Sequence, residues 1–218
     1  MKKVIIIVFI ALIVFVLAAY AFLKIYDYRS TRKQESLQYA LSKDELAKLH
    51  SGDIILRHGY GFVSDMIVTQ LKEKYDLSHC AIVCRDKDSL YVIHSVSSSL
   101  SNVDGVQAQE INSFIRESQY NSVVVVRYKT DSGKDQSCIC ERARDYLKKG
   151  IPFDNAFNIN DSTEFYCTEL LWKVILNEYH VDIMAGKNNE RKDHLRFDTF
   201  LDPTHFEIII DHQARKKR

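Results

Sequence analysis

The feature that most constrains the fold is an uncharged apolar run near the amino terminus, from Val4 to Leu23. A helix of about twenty apolar residues spans the hydrocarbon core of a bilayer. Lys2 and Lys3 precede the run as in an export signal, and Ala19-Tyr20-Ala21 is similar to a cleavage site. The run is longer than the roughly 7–15 apolar residues usual in a signal peptide. The sequence therefore predicts a retained transmembrane helix, with a removable signal peptide as the alternative.

The charges around this run give a prediction of topology and of domain organisation. Lysines and arginines lie on both sides of the run, so the positive-inside rule does not decide the orientation. A short cationic start before a first apolar run is more often exported, which predicts a soluble part outside the cytoplasm, on the periplasmic side. The predicted units are a membrane segment at 4–23, a juxtamembrane connector at 24–40, a folded domain at 41–212 and a basic tail at 213–218.

Composition excludes some classes of function. The chain of 218 residues carries a formal net charge of +1, so it lacks the basic surplus typical of nucleic-acid-binding proteins. Its five cysteines leave at least one free thiol even if the other four pair. No CxxC pair occurs, so the spacing gives only weak support for a four-cysteine zinc site.

A short stretch, residues 165–172, predicts a helix with a cysteine at its entrance. Residue types that cap helix N-termini precede it at 161–163. The apolar residues that share the helical face of Cys167 are Leu170, Leu171 and Val174. A thiol at this place lies near unpaired backbone N–H groups and the positive end of the helix dipole, which both favour the thiolate. A lone cysteine on an apolar face is also an ordinary small core residue, so the stretch alone leaves both interpretations open.

Two strands that follow each other closely predict a hairpin carrying two histidines. The alternating patterns lie at 78–84 and 90–96, and the polar segment 85–88 lies between them. If Cys84 pairs with Ser89 across a four-residue loop, His79 lies directly opposite His94. A slip of one residue would place the two histidines on opposite faces. A pair of histidines on one face indicates chemistry or metal binding more strongly than a buried histidine alone.

The other elements follow from periodicity and capping signals. Ser42 and Glu45 form a capping box, Leu41 can pack on Leu46, and Gly52 suits a left-handed helix end. Helices are predicted at 42–52, 62–74, 113–118, 135–149 and onward from Cys167 to about Tyr179. Strands are predicted at 53–57, 106–111, 123–128 and 206–210, of which the valine-rich 123–128 is a buried central strand. Turn or irregular structure is predicted at 131–133 and 182–202.

Cys167, His79 and His94 together supply the residue types of a thiol catalyst. A thiolate nucleophile needs a base, and the base needs a partner that fixes its tautomer. The same three residues are also a conceivable metal-ligand set, which is the first alternative. A non-catalytic binding domain on an old enzyme fold is the second alternative.

Five segments resemble the YaeF/YiiX group, the circularly permuted branch of the NlpC/P60 papain-like superfamily. They are Gly52-Asp53-Ile54-Ile55, Leu77-Ser78-His79-Cys80-Ala81-Ile82-Val83, Tyr91-Val92-Ile93-His94-Ser95, Gly150-Ile151-Pro152-Phe153-Asp154 and Tyr166-Cys167-Thr168-Glu169-Leu170. The Ser-His and Tyr-Cys-Thr-Glu-Leu segments are the specific ones. The resemblance implies an α+β, circularly permuted papain-like fold, with an antiparallel sheet packed against helices and the predicted transmembrane helix before it.

The resemblance also implies roles for individual residues. Cys167 matches the nucleophile, His79 the base, and His94 the third polar residue, which is a glutamate in some relatives. The residues expected near the substrate are Phe153, Asp154, Tyr166 and Glu169. Phe153 stands where tyrosine is common, and Thr168 where serine is common. We expect a membrane-anchored cysteine amidase or peptidase with no cofactor and no metal ligand, acting on a cell-wall peptide or a lipid-type amide or ester, and no nucleic-acid partner.

Overall fold

The structure, a computed structural model, describes residues 1–87, 89–130, 135–185 and 196–216. Within these ranges the helices are α1 (Lys2–Leu37), α2 (Lys43–Lys48), α3 (Phe62–Leu71), α4 (Ile111–Arg116), α5 (Ser137–Lys149), α6 (Cys167–Tyr179) and α7 (Gln213–Lys216). The strands are β1 (Ile54–Arg57), β2 (His79–Asp86), β3 (Ser89–Val96), β4 (Gly105–Glu110), β5 (Val124–Tyr128) and β6 (Phe206–Asp211). A 3₁₀ helix covers Phe197–Leu201. Four predicted segments lie wholly or partly outside the described residues. The residues concerned are 88 of the hairpin loop, 131–133 of the predicted turn, 186–195 of the predicted irregular stretch and 217–218 of the predicted tail.

The domain is built on one six-stranded antiparallel sheet with the strand order β4-β3-β2-β1-β5-β6. The valine-rich strand β5 is internal, because Val124 pairs with Leu56 of β1 on one side and Asp211 of β6 on the other. A run of β-branched residues suits a strand that is covered on both faces. The predicted fold class, an antiparallel sheet packed against helices, is confirmed.

Side chains alternate across the sheet, so each face carries its own core. One core lies between the sheet and helices α5 and α6. The other core, on the opposite face, includes residues of α4. The apolar face of α6 is fully buried in the first core through Leu170, Leu171, Val174 and Ile175. Each such side chain stabilises the packed state by about 1.5–3 kcal/mol, so α6 is held firmly against β2 and β3.

The first helix of the domain has the predicted start but a different end. The Ser42 side chain accepts the Glu45 backbone N–H, and the Glu45 side chain accepts the Ser42 backbone N–H, which completes the capping box. The helix ends at Lys48 with an extended C-cap residue, so the prediction that Gly52 caps it is wrong. Gly52 has a φ of 95° in the turn before β1. A Cβ there would lie 2.1 Å from the carbonyl oxygen of Gln136, so the position requires glycine.

The hairpin of β2 and β3 has a tighter turn than the sequence predicts. Asp86 pairs with Ser89, which leaves two loop residues instead of four. Lys87 in that loop has a φ of 46°, the left-handed conformation that two-residue hairpin turns favour. The predicted pairing of Cys84 with Ser89 is therefore wrong, and Cys84 pairs with Tyr91.

The observed register shifts the two histidines along the hairpin relative to each other but keeps them on one face. The register differs from the predicted one by two residues, and a shift of two keeps every side chain on its face. Continued by one step from the pairing of Ile82 with Ile93, the ladder places His94 opposite Ala81. His79 and His94 are thus diagonal neighbours on one face rather than a directly opposed pair.

Helix α1 extends well beyond the apolar run. It has 36 residues, and among the described residues it is the one helix long and apolar enough to cross a membrane. The segment predicted as a connector, 24–40, is helical as far as Leu37. Tyr39 and Leu41 directly after it are buried in the domain. No irregular spacer therefore separates the apolar run from the folded part.

The folded part of the chain continues further toward the carboxyl terminus than the sequence predicts. Residues 213–216 form α7, although the sequence predicts a basic tail from residue 213. Gln213 is buried, and its Nε2 donates hydrogen bonds to the carbonyl oxygens of Asp76 and Ser122. The domain boundary thus includes at least this glutamine.

A disulfide joins Cys84 of β2 to Cys140 of α5. It links the sheet to a helix of the first core, across 56 residues of sequence. Cys80, Cys138 and Cys167 are free thiols. Because the disulfide removes two of the thiolates that a four-cysteine zinc site would need, that weakly supported possibility is wrong.

We expect the disulfide to stabilise the domain substantially. Closing a loop of the observed length, 56 residues, restricts the unfolded chain by about 4 kcal/mol. The double substitution Cys84→Ala and Cys140→Ala should lower the free energy of unfolding by roughly that amount. Urea unfolding of the detergent-solubilised protein measures it, and wild type in reductant should match the double variant. Cys138→Ala removes a free thiol and is the control; an unchanged unfolding midpoint in the double variant would contradict the prediction.

Candidate active site

Helix α6 begins at the cysteine that the sequence singled out. Cys167 is its first residue, and Tyr166 is the N-cap, with an extended backbone and no side-chain cap hydrogen bond. The residues expected as caps lie in the preceding turn, where the Asp161 side chain accepts the backbone N–H of Thr163. This arrangement leaves backbone N–H groups of the first helical turn directed at the Cys167 thiol.

Several donors surround the Cys167 thiol and lower its pKa. The Cys80 thiol donates a hydrogen bond to it, and the backbone N–H groups of Thr168, Cys80 and Cys167 add to this effect against the cost of burial. Burial and the neighbouring Cys167 raise the pKa of Cys80 well above its usual value. The pair therefore ionises at Cys167, and Cys80 remains a thiol that donates to it.

The two histidines form a hydrogen bond with each other. His79 Nε2 and His94 Nδ1 are 2.8 Å apart, and the two rings meet edge to face. Both rings also pack on Phe114, with centroid distances of 5.8 and 5.5 Å. His94 is buried, so its ring cannot turn freely. His94 and Phe114 together fix the orientation of the His79 ring.

Both imidazoles are uncharged at neutral pH. Burial, His94 and the guanidinium of Arg57 lower the pKa of His79 well below its usual value of 6.5. Burial and Arg57 lower the pKa of His94 to about 3. When His79 Nε2–H donates to His94 Nδ1, His79 Nδ1 carries a lone pair and can accept a proton. The pair thus provides a neutral base in a defined orientation.

Strand β2 carries both the candidate base, His79, and the neighbour of the thiol, Cys80. Cys80, whose N–H and thiol face Cys167, directly follows His79 in the chain. Within the described part of the chain, no hydrogen bond joins the Cys167 thiol to either histidine, and none occupies His79 Nδ1. The structure therefore brings His79 together with His94 and Cys167 together with Cys80, and the two pairs are adjacent along the strand.

Sequence reasoning missed two residues of this arrangement, Arg57 and Cys80. Arg57 pairs with His79 across β1 and β2. Its guanidinium lies 4.0 Å from the centroid of the Phe114 ring, and its Nη1 donates to the Phe114 carbonyl oxygen at 2.5 Å. The positive charge also attracts the Cys167 thiolate. Two features of the sequence could have identified them: Arg57 ends an apolar strand, and Cys80 directly follows the candidate base.

The four residues expected near a substrate lie around the N-terminus of α6 and the loop before it. Asp154 is buried and accepts the backbone N–H groups of Ala156 and Asn158, so it shapes that loop. Burial raises the pKa of Glu169 to about 8, and its carboxylate lies 3.8 Å from Lys173. Tyr166 is buried, and the half-buried Phe153 ring contacts the ring of Phe157. A role for these four in binding substrate stays a prediction.

A cavity of about 450 Å³ opens beside the histidine pair. Its walls include His79, His94, Arg57, Phe62, Asp27 and Leu100. Asp27 belongs to α1, so the long amino-terminal helix forms part of the wall. The lining includes neither Cys167 nor any of the residues expected near a substrate, which are Phe153, Asp154, Tyr166 and Glu169.

The alternative of a metal site on His79, His94 and Cys167 does not fit the geometry. The facing nitrogen atoms of the two histidines are in direct hydrogen-bond contact at 2.8 Å. In a tetrahedral zinc site, bonds of about 2.0–2.1 Å would hold the two nitrogen atoms about 3.3 Å apart, with both lone pairs directed at the ion and not at each other. Among the described residues, no group of three or more histidine, cysteine or acidic side chains is placed to hold a metal ion.

Comparisons with known proteins agree with this architecture. The crystal structure of the metalloprotein YiiX from Escherichia coli O157:H7 aligns with a TM-score of 0.57 at 20% identity, covering 75% of this chain and 98% of that chain. At this identity the match shows a shared fold. No curated protein sequence matches the chain significantly. A family model matches residues 48–194, and the chain belongs to the family that it describes, the permuted papain-like amidase enzymes YaeF/YiiX of family C92.

Proposed function

We propose that the chain is a membrane-anchored cysteine hydrolase that cleaves amide or ester bonds through an acyl-enzyme. The observation that carries the proposal is the setting of Cys167 at the N-terminus of α6, where Cys80 and backbone N–H groups lower its pKa. His79, oriented by His94 and next to Cys80 in the chain, is the proposed base. Membership of an amidase family supports the class of reaction.

The proposed reaction has two halves. Cys167 Sγ attacks the substrate carbonyl carbon while its proton passes to His79, and the backbone N–H groups of the first turn of α6 stabilise the oxyanion. His79 then gives the proton to the leaving amine or alcohol, which departs and leaves a thioester on Cys167. In the second half His79 takes a proton from water, and the water oxygen attacks the thioester carbon. The carbon–sulfur bond then breaks, His79 returns the proton to the Cys167 sulfur, and the acid product leaves.

The proposed location is the outer side of a membrane. The apolar part of α1 supports a retained anchor, since its length and hydropathy suit a bilayer span. The disulfide between Cys84 and Cys140 supports an extracytoplasmic domain, because such bonds persist in oxidising compartments. The candidate substrates in this location are a cell-wall peptide and a lipid-type amide or ester.

We expect Cys167 to be the one thiol that forms an acyl adduct. A thiol-reactive acyl probe should add one acyl group to the wild-type protein and none to Cys167→Ala, as read by intact-protein mass spectrometry. Cys138→Ala is the matched control, because Cys138 is a free thiol that contacts Tyr179 away from the site. Equal labelling of Cys167→Ala and wild type would show that the nucleophile is elsewhere, and a folded wild type without labelling would favour a non-catalytic binding domain.

We expect Cys80 to tune the nucleophile through its hydrogen bond. Cys80→Ala removes the donor, so the pKa of Cys167 should rise and its alkylation by iodoacetamide should shift to higher pH. Cys80→Ser keeps a donor and should stay closer to wild type. The pH profile of the alkylation rate measures the shift. Identical profiles for the alanine and serine variants would contradict this role of Cys80.

The buried His94 should make the fold sensitive to acid. The pKa of His94 is about 3 in the folded state and 6.5 in the unfolded state, so the unfolded state binds more protons between these values. Stability should therefore fall as the pH drops below about 6.5, by up to roughly 1.4 kcal/mol per pH unit for this group. Urea unfolding at pH 7 and pH 5 should show a smaller difference for His94→Gln than for wild type. His50→Gln, at an exposed histidine, is the control, and an equal difference in His94→Gln would contradict the prediction.

A further inference from the structure

Cys80 is a second thiol at the site, and the proposed hydrolysis does not use it as a reactant. It is a buried residue of β2 and lies at the interface between that strand and α6. Both its thiol and its backbone N–H donate hydrogen bonds to the Cys167 sulfur. Because main chain and side chain make contact together, residue 80 as a whole is held against the nucleophile. The two side chains therefore face each other, which is the first requirement for a disulfide.

The two thiols differ in their access to solvent. Cys167 is half-buried, whereas Cys80 is completely buried, with 0% of its surface exposed. Hydrogen bonds to the Cys167 sulfur lower its pKa, and burial raises the pKa of Cys80. A thiolate reacts with oxidants faster than a thiol does, and an oxidant in solvent reaches the half-buried sulfur first. Oxidation should therefore begin at Cys167 and not at Cys80.

Another cysteine of β2 gives a reason to expect oxidants at this domain. Cys84, which contributes to the same core as Cys80, is joined to Cys140 in a disulfide. Such bonds persist in oxidising compartments. In such a compartment an accessible thiolate without a thiol partner passes to the sulfinic and sulfonic acids, which thiols do not reduce. A neighbouring thiol that closes a disulfide prevents this loss.

We propose that Cys80 and Cys167 form a reversible redox switch, in which a peroxide oxidises Cys167 and Cys80 closes a disulfide that blocks and protects the nucleophile. The formation of the disulfide is independent of catalysis. The accompanying loss of activity rests on the proposed cysteine hydrolase function, since a sulfur bound in a disulfide cannot attack a carbonyl carbon.

The chemistry takes two steps, with hydrogen peroxide as the oxidant. The Cys167 sulfur attacks one peroxide oxygen, the O–O bond breaks, and a sulfenic acid and one water molecule form. The Cys80 sulfur then attacks the Cys167 sulfur, the S–O bond breaks, and the hydroxyl group leaves with the Cys80 proton as a second water molecule. The two thiols lose two electrons and two protons, and the peroxide is reduced to water. A dithiol reductant reverses the closure by exchange and becomes a disulfide itself.

The first step also prepares the second. Burial raises the pKa of Cys80, and the adjacent Cys167 thiolate raises it further. The sulfenic acid in its protonated form carries no charge, so its formation removes the part of this shift that comes from the thiolate. Cys80 then loses its proton more readily, and its thiolate is the form that attacks.

The test treats the full chain in detergent with hydrogen peroxide and follows its cysteines by peptide mass spectrometry. Wild type should give a cross-linked peptide pair containing Cys80 and Cys167. It should lose labelling by the thiol-reactive acyl probe and regain it after a short treatment with a dithiol. In Cys80→Ala the second thiol is missing, so Cys167 should pass to the sulfinic acid and labelling should not return. Cys138→Ala should behave like wild type, because Cys138 is a free thiol that contacts Tyr179.

The outcomes separate the switch from the proposed function. A cross-link of Cys167 to another cysteine, no cross-link in oxidised wild type, or equal recovery of Cys80→Ala and wild type would overturn the switch and leave the hydrolase proposal standing. A reduced wild type that takes up no acyl group but forms the cross-link would support the disulfide and overturn the hydrolase. Urea unfolding before treatment checks that Cys80→Ala is folded, and Cys80→Ser, which is closer in size, takes its place if it is not.

Discussion

The site depends on the alternation of side chains at the start of β2. Neighbouring residues of a strand point to opposite faces of the sheet. His79 points to the face that carries His94 and Phe114, whereas Cys80 points to the face covered by α6. The apolar face of α6 then keeps Cys167 next to Cys80. The strand end thus joins an imidazole from one layer to a thiol from the other, and loss of α6 packing would separate them.

Much of the fold could be predicted because local signals and tertiary packing agree. The capping box of Ser42 and Glu45 forms as the sequence indicates. The valine run of β5 is an internal strand, and the apolar face of α6 is buried. In each case one short segment contains the whole signal, either a hydrogen-bonding pattern or a continuous apolar surface.

The remaining features depend on contacts that no short segment contains. The hairpin register followed from the left-handed conformation of Lys87, which shortened the loop by two residues. The N-cap of α6 is Tyr166, because the residues expected as caps, at 161–163, form local hydrogen bonds in the preceding turn. The partners of Cys84 and Arg57, Cys140 and Phe114, are distant in sequence. Only the folded sheet brings such residues together, so periodicity and spacing could not identify them.

The unbroken course of α1 has a consequence for selectivity. A flexible tether lets an enzyme sample a range of heights above a membrane, whereas a continuous helix docked on the domain allows essentially one. If α1 crosses the bilayer at its apolar run, the histidine pair works at a set distance from the lipid headgroups. Bonds that lie far from the membrane surface are then beyond its reach. The fixed distance would then restrict the substrates to bonds held near the membrane surface, before the shape of the cavity restricts them further.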